Sequence, residues 1–349
     1  MTSIIFILLT ILSYLGVHLI RRYAEKRELL DHPNERSSHK VPTPRGGGLA
    51  IVSLVLAVGL WSTSEAGWNR GLIYVFGGAM VAWLGWRDDL HSLSPRIRFV
   101  VQGIVAAGSI YGLGYFKVVT IPMFGELHLG VIGIVITFLW IIGLTNAYNF
   151  MDGIDGMAGG VGLSAGLGWM WLASNMHNAF AFWVALALTA SCLGFLGHNW
   201  SPAKIFMGDV GSTFLGYSFA VLPLIASTHG GDALMLGTLL MWIIIMDAGV
   251  TFIGRLIKRE NVFAAHRSHL YQRLVIAGYK HKTISLLYIF LTLLAGILSY
   301  IWSQGNPIAP PLIFLGLPLV WLLLSVRAAR LRRTLLESKP LISSREKQV

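Results

Sequence analysis

The sequence predicts an all-α polytopic membrane protein of eleven transmembrane helices. Three observations predict it. Of 349 residues, 55% are hydrophobic and only 12% are charged, far less charge than a soluble globular chain carries. Apolar runs recur at spanning length, about 20 residues of helix for ~30 Å of hydrocarbon. The lysines and arginines fall almost entirely on alternate loops. The single cysteine, Cys192, lies inside an apolar run, which excludes a disulfide framework.

The apolar runs place spans at 2–20, 47–64, 71–86, 98–114, 130–145, 158–174, 180–197, 213–228, 234–254, 284–302 and 308–326. In the first, Arg21 and Arg22 follow the apolar run where a signal peptide would place them before it. It therefore reads as a retained anchor with the N-terminus outside. Loops 21–46, 87–97, 146–157, 198–212 and 255–283, the tail from 327, and Arg98 at the mouth of the fourth span together hold 25 of the 27 Lys and Arg. Only Arg70 and Lys117 lie opposite. That bias makes the basic face cytoplasmic. It also accounts for the net charge of +11 without a nucleic-acid partner. The longest opposite loop, Tyr115–Gly130, alternates β-prone residues around Pro and Gly and predicts a small periplasmic β-hairpin. Residues 1–327 read as one transmembrane domain and 328–349 as a basic cytoplasmic tail. Glycine-rich spans allow close helix packing and permit a homodimer without requiring one.

The cytoplasmic loops carry the chemistry. The first, Asp31–Gly48, holds Lys40 and Arg45 between prolines and a Gly46-Gly-Gly48 run. It reads either as a phosphate contact, with Lys40 the better candidate, or as a basic segment held by anionic headgroups. The run of glycine lets backbone approach a ligand. The second carries adjacent Asp88 and Asp89. Neighbouring carboxylates repel, so this pair needs a divalent ion or a shared proton, or capture by Arg87, Arg96 or Arg98. The third, Asn146-Ala-Tyr-Asn-Phe-Met-Asp-Gly-Ile-Asp-Gly156, packs Asn146, Asn149, Asp152 and Asp155 between apolar runs. A helical turn would put Asp152 and Asp155 on one face; a polar turn with side-chain caps is the plainer reading.

The fourth loop brings Phe206 and the turn Gly208-Asp209-Val-Gly-Ser212 to the mouth of a span. Helix N-termini favour anions, so Asp209 there implies capping or a metal that bridges to phosphate, and Phe206 is placed to stack on a base. The fifth holds His266, Arg267, His269 and Arg273. Without further ligands nearby, the histidines suit an anion clamp better than zinc. Asp247, inside a span, is a functional candidate by its depth, with Arg255 as its ordinary ion-pair partner. Pooled acids, basic clamps and a helix N-terminus are what Mg²⁺-assisted phosphoryl transfer requires, and hard oxygen ligands favour Mg²⁺.

These loops resemble the polyprenyl-phosphate N-acetylhexosamine-1-phosphate transferases (glycosyltransferase family 4). Asp88-Asp89, the Asn146–Gly156 stretch, Phe206-Met-Gly-Asp-x-Gly-Ser212 and a His-rich fifth loop carry the likeness, in this order, over residues 30–285. The Pro42–Gly48 and Ala265–Arg273 segments are most similar to the bacterial O-antigen initiating branch. The resemblance implies transfer of N-acetylhexosamine-1-phosphate (of GlcNAc type or a 6-deoxy relative) from a UDP-sugar to undecaprenyl phosphate, with release of UMP. It implies Mg²⁺, or Mn²⁺, on Asp209. Asp88 or Asp89 would be the base or position the lipid phosphate. Asn146, Asn149, Asp152 and Asp155 would line the nucleotide side, with Asp155 near uracil and Phe206 stacked on it. Lys40 would neutralise phosphate, and His266, Arg267 and His269 would hold the sugar or its phosphate. This fifth loop departs from the fuller histidine cluster of relatives, with Arg267 and Ser268 between its two histidines.

Two rival readings are weaker. A CDP-alcohol phosphatidyltransferase needs an arginine that Asp155-Gly-Met-Ala-Gly lacks. A transporter of an anionic or lipid-linked substrate would put ionisable groups near the midplane; here the acids cluster at one interface and only Asp247 lies deep.

Overall fold

The computed structural model describes residues 1–33, 41–121, 124–226, 232–261, 266–306 and 308–337. Apolar sequence of this length in lipid must satisfy its backbone internally, which helices do. The described residues form α1 (Thr2–Lys26), α2 (Gly48–Trp61), α3 (Thr63–Ala66), α4 (Trp68–Leu90), α5 (Pro95–Leu113), α6 (Ile132–Phe150), α7 (Met157–Asn175), α8 (Ala179–Asn199), α9 (Asp209–Ala226), α10 (Asp232–Leu240), α11 (Trp242–Ile257), α12 (Leu270–Ile276), α13 (His281–Ser303), α14 (Ala309–Pro311) and α15 (Leu317–Glu337), with a π-helical turn at Leu312–Gly316 before the last. Local sequence sets several starts. Ser94 accepts from the Ile97 amide at 3.4 Å with Pro95 in the first turn, and Asn178 accepts from Ala181 at 2.9 Å.

Six of these helices, among the described residues, are long and apolar enough to cross a membrane, and seven if α10 and α11 count as one broken span. Eleven spans were expected. The other four expected runs fall on α2, α4, α5 and α7. Helix α2 has only 14 residues, α4 carries Arg87, Asp88 and Asp89 within its last turns, α5 begins with Arg96 and Arg98, and α7 is rich in glycine and serine. A second difference lies at the expected continuous span 234–254. There the chain bends by 77° between α10 and α11, with no proline at the corner. The Trp242 indole N–H donates instead to the Leu291 carbonyl of α13 at 3.3 Å. Helix α15 runs on past 327 as far as Glu337.

Two short strand pairs complete the description. Leu30–Asp31 pairs antiparallel with Thr43–Pro44, and Val118–Ile121 with Gly125–His128.

Helix α9 is the post around which the others stand. Every residue from Val210 to Ala226 is buried, and α2, α4 and α6 pack along it. The fit is tightest at its first turn. A Cβ on Gly48 of α2 would overlap the Gly211 backbone, and a Cβ on Gly85 of α4 would overlap the Asp209 carbonyl. Those two glycines bring three helices together around Asp209. Large apolar side chains such as Ile4, Leu8, Phe76, Phe99 and Phe290 face outward, where a bilayer would cover them.

Candidate active site

The first turn of α9 leaves amides with no partner in its own helix. Asp89, at the end of α4, supplies one from outside. Its Oδ1 accepts from the Asp209 amide at 3.0 Å and its Oδ2 from Val210 at 3.1 Å. A carboxylate at this end also complements the helix dipole. Arg45 steadies the arrangement from the first loop, donating to the Asp89 carbonyl, with its guanidinium 4.0 Å from the carboxylate. Asp89 is only 6% exposed. Its oxygens are thus turned to a helix end, a positioning task.

Asp88, next to it, points the other way. Its Oδ1 accepts from the Leu93 amide at 2.6 Å and its Oδ2 lies 2.7 Å from Arg98 Nη1. Arg98 Nη1 is also 3.6 Å from Asp209 Oδ2, and its Nη2 donates to Asn149 Oδ1 at 3.2 Å. Asn149 closes the ring: its Nδ2 donates to Asp209 Oδ1 and to Ser212 Oγ, each at 2.9 Å. The repulsion expected of adjacent Asp88 and Asp89 is relieved by one arginine each and by helix amides. Arg98, read from sequence only as a counter-charge, stands at the centre of this cluster. Its signal was its place at a span mouth ten residues after Asp88.

Asp152 and Asp155 do not share a face. Residues 151–156 form a turn between α6 and α7, not a helix, and glycines at 153 and 156 suit that turn. Asp152 meets no hydrogen-bond donor or cation through its carboxylate among the described residues. Burial, then the nearby Asp209 and Asp89, push its carboxyl up to about 8. Asp155 turns toward α13. Its Oδ2 accepts from the Ala203 amide at 3.3 Å, and its Oδ1 is 3.4 Å from His281 Nδ1. Burial alone would raise it, but His281, Ser201 and the Ala203 amide outweigh that and hold it below the usual carboxylate range. His281 was missed; it lies 126 positions away in the chain, and no local pattern marks it.

The remaining expected residues divide. Asn146 is engaged one turn before Asn149, in a reciprocal amide pair with buried Gln102 of α5 at 2.6 and 3.3 Å. Phe206 is half-buried beside the α9 start, its carbonyl accepting from Gly47 at 3.0 Å. The Gly46–Gly48 run therefore lets backbone approach the protein's own fourth loop, where a ligand had been expected. Lys40 lies outside the described residues.

In the fifth loop the His266 and His269 rings are 4.9 Å apart. His266 Nδ1 meets Ser268 Oγ at 2.9 Å, so the serine that breaks the histidine run orients one of its members. Burial, then His269 and Arg255, push His266 down to about 4, leaving it neutral. The His269 ring lies 6.1 Å from that of Phe150, the last residue of α6. Arg267 is half-buried beside them. Arg255 does not pair with Asp247: it donates to the Asn261 carbonyl at 2.6 Å and lies 3.5 Å from Glu260. Among the described residues no three His, Cys, Asp or Glu side chains enclose a metal site. The third-exposed Asp209 and the unpartnered Asp152 are the carboxylates left open to a ligand.

Known proteins share this chain's sequence at length. The model of the family described as glycosyl transferase family 4 matches residues 72–227. A probable undecaprenyl-phosphate N-acetylglucosaminyl 1-phosphate transferase of Bacillus subtilis is 32% identical over 78% of this chain and 76% of its own. An undecaprenyl-phosphate alpha-N-acetylglucosaminyl 1-phosphate transferase of Yersinia pestis is 30% identical over 87% and 84%. A decaprenyl-phosphate N-acetylglucosaminephosphotransferase of Mycobacterium leprae is 30% identical over 79% and 77%. With likeness of this extent, the chain belongs to the polyprenyl-phosphate N-acetylhexosamine-1-phosphate transferases, a family of phosphotransferase enzymes.

Proposed function

We propose that this chain transfers N-acetylhexosamine-1-phosphate from a UDP-sugar to undecaprenyl phosphate and so begins a lipid-linked polysaccharide of O-antigen type. The sugar is of GlcNAc type, the sugar named in the three relatives. The observation that carries the reading is the ring Asp88–Arg98–Asn149–Asp209 at the α9 start, with unpartnered Asp152 beside it. Every loop of this ring belongs to the basic set, which supports a cytoplasmic site in a bacterial inner membrane.

An oxygen of the lipid phosphate attacks the β-phosphorus of the UDP-sugar. The new O–P bond forms as the bond from that phosphorus to the bridging oxygen breaks, and UMP leaves with the oxygen. A phosphate dianion is already nucleophilic, so a base contributes little. The larger task is to neutralise and align two phosphate groups. Asp209 and Asp152 suit Mg²⁺, or Mn²⁺, because such ions take one or two carboxylates and fill the rest of their shell from water and phosphate. When bound there, the ion supplies positive charge to the diphosphate. Arg98, held in place by Asp88, offers a planar fork to phosphate oxygens. Asn149 keeps Asp209 in register, and Asp89 keeps α9 in register. Phe206 stacks on uracil, and His266, Arg267 and His269 meet the sugar side.

The test is a panel of UDP-GlcNAc, UDP-GalNAc and their 6-deoxy relatives, each with polyprenyl phosphate and Mg²⁺. UMP release with at least one donor is expected. No release with any of them would overturn the reading.

A further inference from the structure

Asp247 is completely buried in α11. A buried carboxylate survives only when hydrogen bonds replace its lost water. Its partners come from two other elements. Oδ1 accepts from the Leu270 amide at 2.6 Å, and Oδ2 accepts from the Tyr271 amide at 3.3 Å and from the Tyr288 hydroxyl at 2.7 Å. Thr251 Oγ1 and His269 Nδ1 each lie 3.5 Å from Oδ1. The two amides are the first of α12, the seven-residue helix that follows His269.

The grip extends to the reaction site. The Tyr271 hydroxyl donates to the Phe150 carbonyl at 3.0 Å, at the end of α6, where Asn149 and Asp152 flank it. Gly153 leaves room for this: a Cβ there would overlap the Tyr271 hydroxyl. One chain of contacts therefore runs from Asp247, through the α12 start, to the stretch bearing Asn149 and Asp152, with His269 carried along the way.

We propose that Asp247 is a positioning residue: it holds the α12 start so that His269 stands against Phe150, with His266 beside it, and the two meet the sugar half of the donor. This rests on the transferase reading above. Asp247 touches no substrate. Its action passes through α12, so its loss should weaken recognition of the sugar and spare recognition of the nucleotide.

The experiment uses the full chain in nanodiscs, with a UDP-sugar the wild type consumes and with UMP as a competing inhibitor. Asp247→Asn keeps size and one acceptor but loses the charge shared by two amides and a phenol. Its KM for the UDP-sugar is expected to rise about tenfold, with inhibition by UMP and KM for the lipid phosphate within about twofold of wild type. Tyr271→Phe removes only the hydroxyl on Phe150 and is expected to shift the same constant about threefold. It decides the matter if Asp247→Asn does not fold. Equal weakening of UDP-sugar and UMP, or an unchanged KM for the donor, would overturn the positioning role. A wild type that consumes no UDP-sugar would overturn the transferase reading itself.

Discussion

Asp89 and Asp247 do the same physical job in two regions of very different firmness. Each is a buried carboxylate whose two oxygens take the first amides of a helix donated by a later part of the chain. Asp89 holds α9, which is 18 residues long and buried along its length. Asp247 holds α12, a seven-residue helix at the end of a loop. Packing alone keeps α9 in place to within small limits, so Asp89 mainly refines where Asp209 sits. Helix α12 is too short to be stable by itself, so the carboxylate and the Tyr271 hydroxyl decide where the histidines just before it stand. The rigid region carries the charges that every phosphoryl transfer needs. The lightly held one carries the groups we propose to meet the sugar.

Four measurements would break or sharpen that contrast. The largest effect belongs to the rigid side: Asp209→Asn is expected to lower kcat by about 10³-fold or more with every donor. Turnover near wild type would remove Asp209 from the reaction. Next is Asp89→Asn, which keeps one acceptor but opposes an amide group to helix amides. It should cost about 2–3 kcal/mol of stability and lower the unfolding midpoint by about 5 °C, with kcat falling and KM for donor little changed. A donor-specific KM effect would instead make Asp89 resemble Asp247. Third, Arg98→Lys keeps the charge and loses the fork that spans Asp88, Asn149 and Asp209. A fall in kcat of about tenfold is expected, read from UMP release.

The smallest effect is on the sugar side. His266 stands at about 4 in the folded chain, below its ordinary 6.5. As pH falls from 6.5 to 4 the unfolded chain takes up that proton first, so stability that is fully present above 6.5 is lost through this window. His266→Gln should lose less on acidification than wild type, a difference of about 1–2 °C by thermal unfolding at pH 7 and pH 4.5. Parallel curves for the two proteins would show that His266 is not held neutral by its surroundings.

Much of the site was legible in order but not in detail. Polar clusters between apolar runs marked the loops, because lipid leaves few other reasons for carboxylates there. The choice between neighbours of the same type was not legible. Asn146 and Asn149 differ by one turn of α6, yet the first faces Gln102 and the second Asp209. Asp88 and Asp89 are adjacent, yet one meets Arg98 and the other a helix end. Asp152 and Asp155 part because a turn replaced the helix that would have aligned them. Asp247 was legible as an oddity, but its expected partner, Arg255, proved to be bound elsewhere. The exact count of spans was not legible, because hydropathy alone does not separate a membrane-crossing helix from one whose charged last turn reaches into a site.

By itself the sequence determined that this is a helical membrane chain, and that its acids, amides and cations gather on the loops between apolar runs. Those properties follow from composition and period, since a bilayer sorts residues by polarity along one axis. Tertiary structure alone decided which carboxylate caps, which pairs and which stays open. A hydrogen-bond partner is chosen by distance in space, and here the partners of each aspartate lie on elements as much as 126 positions away in the chain.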